Sequence, residues 1–299
     1  MTADFTLRQL AYFVAAAETG TTAAAAKRFY MNQSSMSAAL SELETSLGVK
    51  LFIRRRGKGL ELTSSGRDLL PEARRLVREI DEFASWAGSL QSELRGRLVI
   101  GCFDTIAPAL LPPLLKGFAE LHPDVEVDFL EGGQSELQEA LLDGRIELSL
   151  MYDYGLPASL DRVVIRRPAP NVLVPADHPV AALDETDLLG LADEPFIMIS
   201  TAPAKQLITA VFQAAGVTPK VRFSSANFDH IRALVQLGMG YSMISQSSGL
   251  QPLHWNDKVV AVPVSGPVPH EQLVAVLASR DRLTRRARAF LDHCLRDRA

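Results

Sequence analysis

The chain has little of what marks an enzyme, a metalloprotein, a secreted protein or a membrane protein. Its only cysteines, Cys102 and Cys294, lie far apart and fit no metal or redox spacing. Cys102 reads as a core thiol rather than a redox sensor. The six histidines, at 122, 178, 230, 254, 270 and 293, show no metal-ligand spacing. His122, which precedes Pro123 at a helix-to-strand turn, reads as structural. No Gly-x-Ser-x-Gly elbow, phosphate loop or dinucleotide fingerprint occurs. No catalytic residue, metal or cofactor is therefore expected. No stretch approaches the ~18 apolar residues of a membrane span, and Met1-Thr2-Ala3-Asp4-Phe5 lacks the basic and apolar segments of a secretory signal. The expectation is a cytoplasmic protein with no membrane partner.

What is present is ordinary globular material, 47% hydrophobic and 22% charged, over a length of 299 residues that suggests two or three domains. The net charge of -4 is unevenly spread. Residues 1–67 hold nine Lys/Arg against five Asp/Glu, a net of +4, which leaves -8 for the remainder. A basic head on an acidic body suits a protein that meets phosphates at one end.

Three helical patterns open the chain. Leu7, Leu10, Phe13, Val14 and Ala17 form an amphipathic stripe that stops at Gly20. Thr21 or Thr22 can cap a short second helix over 23–29. Asn32 caps a third, which runs to Leu47 and ends at Gly48. Met36, Leu40, Leu43 and Leu47 make its buried stripe; Ser34, Ser37, Ala38 and Ser41 make the opposite one. Short polar side chains on an outward face suit a helix entering the major groove, and Gln33 is a natural adenine reader. A serine-rich surface helix has the same pattern. The residues after Gly48 favour the groove: a strand over 49–53, the basic turn Arg54-Arg55-Arg56-Gly57-Lys58-Gly59, and a returning strand over 60–62. A glycine-bearing basic hairpin after a third helix is a wing, whose cations suit phosphate or minor-groove contact. The third helix itself carries no Lys or Arg, so affinity falls to Arg54, Arg55, Arg56, Lys58, Lys27 and Arg28.

This stretch resembles the LysR-type transcriptional regulators. The resemblance is carried by Thr21-Thr22-Ala23-Ala24-Ala25-Ala26-Lys27-Arg28-Phe29-Tyr30-Met31-Asn32-Gln33-Ser34-Ser35-Met36-Ser37-Ala38-Ala39-Leu40-Ser41-Glu42-Leu43-Glu44, by Leu47-Gly48-Val49-Lys50-Leu51-Phe52-Ile53-Arg54 and by Leu62-Thr63-Ser64-Ser65-Gly66. The family's usual Ser-Gln-Pro is Asn32-Gln33-Ser34 here, and its frequent later glutamine is Ala39.

From Thr63 onward Leu69, Ala73, Leu76, Ile80, Phe83, Ala87, Leu90 and Leu94 recur at spacings of four and three, a heptad seam. Such a helix either packs on its own domain or pairs with a second copy. At ~1.5 Å per residue it outreaches a small head, which favours pairing and two half-sites set by the ~34 Å DNA repeat.

After Arg97 the pattern becomes short apolar strands alternating with helices. Strands are expected over 98–102, 125–130, 147–151, 163–165, 171–174, 196–199, 220–223, 240–244, 259–262 and 273–277. Helices are expected over 106–121, 135–143, 204–215, 228–238 and 283–295. The alternation predicts a parallel-rich α/β body in two lobes, crossed near Arg166-Arg167-Pro168 and again near Pro267-Val268-Pro269, with a ligand crevice between them. The expected domains are 1–66 (winged helix-turn-helix), 67–95 (linker and dimerisation helix), 96–167 with 268–299 (lobe I) and 168–267 (lobe II). Strand ends and helix starts facing the crevice select Asp104, Thr105, Gln134, Ser135, Ser200, Thr201 and Asn227 as effector contacts. Each of these also suits a helix cap.

The family resemblance extends over the body. It implies a periplasmic-binding-protein-like effector domain, an effector-contacting hydroxyl at Thr105, and assembly as dimers or tetramers. Looser matches are Leu98-Val99-Ile100-Gly101, Leu121-His122-Pro123-Asp124-Val125, Glu131-Gly132-Gly133, Leu142-Asp143-Gly144 and Gly238-Met239-Gly240. The expected partners are double-stranded DNA at an operator or promoter, a polar or carboxylate-bearing small molecule, a second copy of the chain and RNA polymerase. The expected function is sequence-specific transcriptional regulation modulated by that effector. An enzyme or a purely architectural DNA-binding protein are the rival readings; the latter has no use for a two-lobed body.

Overall fold

Thr6 opens the first helix with a reciprocal cap: its hydroxyl accepts from the Gln9 N–H while the Gln9 side chain accepts from the Thr6 N–H. In the computed structural model, which describes residues 4–55, 59–88, 94–202, 204–246, 258–266, 268–269 and 272–296, this helix is α1 (Leu7–Thr19). It is followed by α2 (Thr22–Arg28), capped by Thr21, and α3 (Gln33–Leu47), capped by Asn32. Gly20 and Gly48 end α1 and α3 in the left-handed conformation. A two-stranded antiparallel wing comes next, β1 (Phe52–Arg55) and β2 (Gly59–Leu62), with Arg55 opposite Gly59. Gly59 has no substitute: its φ is +82°, and a Cβ would lie 2.4 Å from the Gly20 carbonyl oxygen.

The strand expected over 49–53 begins only at Phe52. The Leu51 and Phe52 N–H groups donate to the Glu44 carboxylate, which ties this segment to α3 instead of extending the ladder. Met36, Leu40 and Leu43 of α3 are buried with Leu10, Phe13 and Ala16 of α1 and Ala25 and Ala26 of α2. Full burial of such a Leu or Met contributes about 1.5–3 kcal/mol each.

The linker helix is α4 (Ser64–Gly88). Its first half closes the head, with Leu70 and Ala73 buried in that core and Leu76 and Val77 packed against it. Leu69 and Phe83 stay exposed. The expected seam is thus divided. Ala73 and Leu76 pack on their own domain, Leu90 lies outside the described residues, and Leu94 follows α4 and packs against the lobe I core.

The body begins with β3 (Gly96–Phe103), α5 (Ala107–Leu121), β4 (Val125–Gly132), α6 (Gln134–Leu142), β5 (Leu148–Tyr152) and β6 (Asp161–Arg166). The chain then crosses to β7 (Ala169–Pro175), β8 (Pro195–Ile199), α7 (Ala204–Ala214), β9 (Lys220–Ser225), α8 (Phe228–Gln236), β10 (Ser242–Gln246) and β11 (Val259–Pro263). It returns as β12 (Leu273–Leu277) and α9 (Arg285–Arg296). Lobe I is a five-stranded sheet in the order β4-β3-β5-β12-β6. Residues of β12 alternate between its faces. Leu273, Ala275 and Leu277 join the core under α5 and α9, while Val274 and Val276 join the one under α6. Lobe II holds β10-β7-β11 and β8-β9, linked by a bridge from Phe196 to Tyr241.

The sheets are more mixed than strand-helix alternation predicts. β3 is parallel to β4 and β5, and β8 to β9, but β12 runs antiparallel to β5 and β6, and β10 and β11 run antiparallel to β7. The returning chain enters lobe I from the lobe II side, and this reverses β12. Among the described residues no helix is long and apolar enough to cross a membrane, and no group of three or more His, Cys, Asp or Glu could hold a metal.

Candidate nucleic-acid interface and effector crevice

The outward stripe of α3 and the start of the wing share one surface. Ser34, Ser37, Ala38 and Ser41 line an open concavity of about 600 Å³ whose far wall is Glu44, Lys50 and Phe52. Ser34 and Ala38 are exposed, and Ser37 and Ser41 half-buried. No side chain in this wall except Glu44 and Lys50 carries charge, and these two pair at 2.7 Å. Burial pushes the Glu44 carboxyl up, but Lys50 and the two backbone N–H donors outweigh it and hold the pKa below the usual value. Glu44 therefore locks the wing to the helix and neutralises itself at the surface. Periodicity does not single it out; its place one position beyond the Leu40/Leu43 stripe is the only signal in the sequence.

The remaining head residues divide by what already holds them. Asn32 accepts from the Ser35 N–H and the Ser34 hydroxyl, both at 2.7 Å, so its side chain is spent on the cap. Gln33, at the first turn, donates through Nε2 to the Thr22 hydroxyl at 3.0 Å. Lys27 is exposed. Arg28 pairs with Glu18 at 2.7 Å. Arg54 and Arg55 lie on β1, while Arg56 and Lys58 fall outside the described residues. Tyr30, unflagged in the sequence, stands 99% exposed in the turn before α3, with φ +53°.

In the body, Asp104 and Thr105 follow the end of β3, and both are exposed. Neither caps α5: the cap position is Ile106, without a side-chain hydrogen bond. Burial raises the Asp104 pKa although its surface meets solvent, and the Thr105 N–H opposes the shift. Gln134 begins α6 and donates to the Tyr152 and Tyr154 carbonyls at 2.9 and 2.7 Å; its own Oε1 is buried without a hydrogen bond among the described residues. Ser135 and Ser200 are exposed, Thr201 half-buried. Asn227 caps α8, accepting from the Asp229 and His230 N–H groups. The Tyr152 hydroxyl reaches from lobe I to the Ser245 carbonyl of lobe II at 3.5 Å, a link across the crevice that a core-facing aromatic does not advertise in sequence. Cys102 is buried, which drives its thiol pKa well up, so it is a packing residue.

Comparison with known proteins agrees with this geometry. Residues 7–67 match the family described as bacterial regulatory helix-turn-helix protein, lysR family, and residues 91–299 match the LysR substrate binding domain. The HTH-type transcriptional regulator cbl of Klebsiella aerogenes is 30% identical over 226 residues, covering 75% of this chain and 72% of the relative. Among solved structures, HinK, a LysR family transcriptional regulator from Pseudomonas aeruginosa, is 34% identical, with a TM-score of 0.63 over 98% of each chain. A full-length OxyR variant from the same species is 25% identical, with a TM-score of 0.75 over 97% of this chain and 98% of that one. A winged head, a linker helix and a two-lobed substrate-binding body in one chain agree with both matches: the protein belongs to the LysR family of DNA-binding transcriptional regulators.

Proposed function

We propose that α3 docks in the major groove through Gln33, Ser34, Ser37, Ala38 and Ser41, with Asn32 at its entry, while Arg54, Arg55, Arg56 and Lys58 of the wing and Lys27 and Arg28 of α2 hold the sugar-phosphate backbone. The observation that carries this reading is the shared concavity of the serine stripe, Lys50 and Phe52. A surface of small neutral side chains can approach base edges closely, and the basic residues that flank it in the sequence suit the phosphates beside a groove. Two heads address two half-sites through a dimer or tetramer, and the exposed Leu69 and Phe83 of α4 suit pairing of linker helices. RNA polymerase is the partner through which a bound regulator acts on transcription, and the cytoplasm the compartment.

The crevice binds a small polar metabolite through Thr105, Gln134 and Ser135 from lobe I and Ser200, Thr201 and Asn227 from lobe II. Support comes from an exposed Thr105 that does not cap α5 and from the buried Gln134 Oε1, which has no hydrogen bond among the described residues. Asp104 suits a hydroxyl or ammonium end, and the hydroxyl-bearing helix starts suit a carboxylate end. Ligand favours one arrangement of the lobes and shifts the placement of the heads. A thermal-shift screen of polar metabolites against the full chain tests this. A compound that raises the melting temperature of wild type but not of Thr105→Val supports the site; equal shifts in both remove Thr105 from it.

A further inference from the structure

The linker helix is fastened to lobe I by two arginines that donate to backbone carbonyls there. Arg74 on α4 has a side chain only 8% exposed. Its Nη1 donates to the Asp143 carbonyl at 2.9 Å, and its Nε lies 3.6 Å from Glu18 of α1. Arg78, one turn on, donates to the Gly144 carbonyl. These carbonyls are the free end of α6. The Gly144 and Arg145 N–H groups turn back to Leu141 and Ala140, and Gly144 takes a φ of +64°, so the carbonyls of 143 and 144 point outward. The negative end of the helix dipole thus faces two guanidinium groups supplied by another domain. The fit is close: a Cβ on Gly144 would lie 3.3 Å from both terminal nitrogens of Arg78 and 3.6 Å from the Pro71 carbonyl oxygen.

Both ends of this contact continue. On the head side Glu18, held 3.6 Å from Arg74, also pairs at 2.7 Å with Arg28 at the end of α2, the helix before the recognition turn. On the body side α6 is a single rod of about 13 Å at ~1.5 Å per residue, and its other end is Gln134, packed on the Tyr152 and Tyr154 carbonyls. Backbone carbonyls cannot swing aside as a side-chain counter-ion can, so either they stay in place or the contact breaks.

We propose that Arg74 and Arg78 are positioning residues that clamp the linker helix to the carboxyl end of α6, fixing the orientation of the DNA-binding head on lobe I within one chain. The inference rests on the head binding DNA and on no crevice residue. Burial lowers the pKa of both groups, opposed at Arg74 by Glu18 and Asp143 and at Arg78 by Glu147.

The test is selection of duplexes from a random-sequence pool by the full chain, reading half-site sequence and half-site spacing separately. Sequence reports groove reading; spacing reports how rigidly the heads are held. Wild type is expected to return one dominant spacing. Arg74→Gln with Arg78→Gln is expected to keep the half-site sequence while the share of the dominant spacing falls at least threefold, and Arg74→Lys with Arg78→Lys to recover part of it. Lost affinity from a merely structural defect would lower yield without spreading the spacing. An unchanged single spacing in the double glutamine variant overturns the clamp, as does a wild-type chain that returns several spacings. Should that variant fail to fold, Glu18→Arg, at a partly exposed position, replaces it under the same criterion: spread spacing supports the clamp and unchanged spacing overturns it.

Discussion

The head and the body dispose of their charges in opposite ways. In the body, several cations have an acid beside them: Arg95 lies beside Asp124, Arg97 beside Asp128, Arg162 beside Asp153 and Lys220 beside Asp193. Such surface pairs add little stability, and the sequence beyond residue 67 is acidic overall, with a net of -8. In the head, Lys50 and Arg28 are matched by Glu44 and Glu18, and the wing sequence carries four further positive residues at 54–58 against one acid, Glu61. Net charge, -4 for the chain, therefore says less about a partner than how charge is distributed along the sequence.

The contrast can be strained at several points. The largest expected effect is at the joint between wing and helix. Glu44→Ala leaves two buried N–H groups without an acceptor, and should lower the stability of the head by about 2–4 kcal/mol, read by calorimetry as an earlier head transition with the body transition unmoved. The same contact sets a pH dependence. Because the folded pKa of Glu44 is depressed, its stabilisation is present above the unfolded carboxyl value, about 4.3, and is lost as pH falls through the folded value; Glu44→Gln should remove that acid-side loss.

Next in size is the charge asymmetry itself. Replacing Arg54, Arg55 and Arg56 by Ala should flatten the log-log salt dependence of DNA binding by about 2–3. The variant would then lose affinity between about 50 and 200 mM salt some 40-fold less steeply than wild type. Neutralising Arg95, Arg97 and Arg162 should leave the slope alone; an equal effect from both sets would abolish the contrast between head and body. Gln33→Ala should cost about 1–3 kcal/mol of discrimination at one base pair, measured as relaxed preference in competition binding with non-specific affinity retained. The smallest effect separates two crevice residues. Asn227→Ala should cost about 1 kcal/mol of stability, since it caps α8. Thr105→Val, which removes no cap, should stay within about 0.5 kcal/mol of wild type in a denaturant titration.

Head and body also differ in how much of each is legible in the sequence. Caps at Asn32 and Thr21, glycine stops at 20 and 48 and the alternating wing are local signals, and the elements stand within a few residues of where those signals put them. In the body, β12 is legible to the residue, because five apolar residues in a row suit only a strand buried on both faces. Its antiparallel direction is not, since direction depends on where the chain returns from. Nor are Glu44, Arg74 and Tyr152. Each is polar or aromatic in a position where periodicity predicts nothing, and each acquires its role from a group more than six residues away. The candidate site is legible where a side chain acts on its own helix, and hidden where it acts across elements.

The central claim is that the small-residue face of α3 meets DNA. Both native cysteines are buried, so a thiol introduced at the surface can be followed alone. Alkylation of Ser34→Cys and Ala38→Cys in the full chain, with Ser135→Cys in the body as reference, should slow at least tenfold at 34 and 38 when a selected duplex is added and stay constant at 135. Unchanged rates at 34 and 38 with the duplex bound would place the DNA elsewhere and contradict the account.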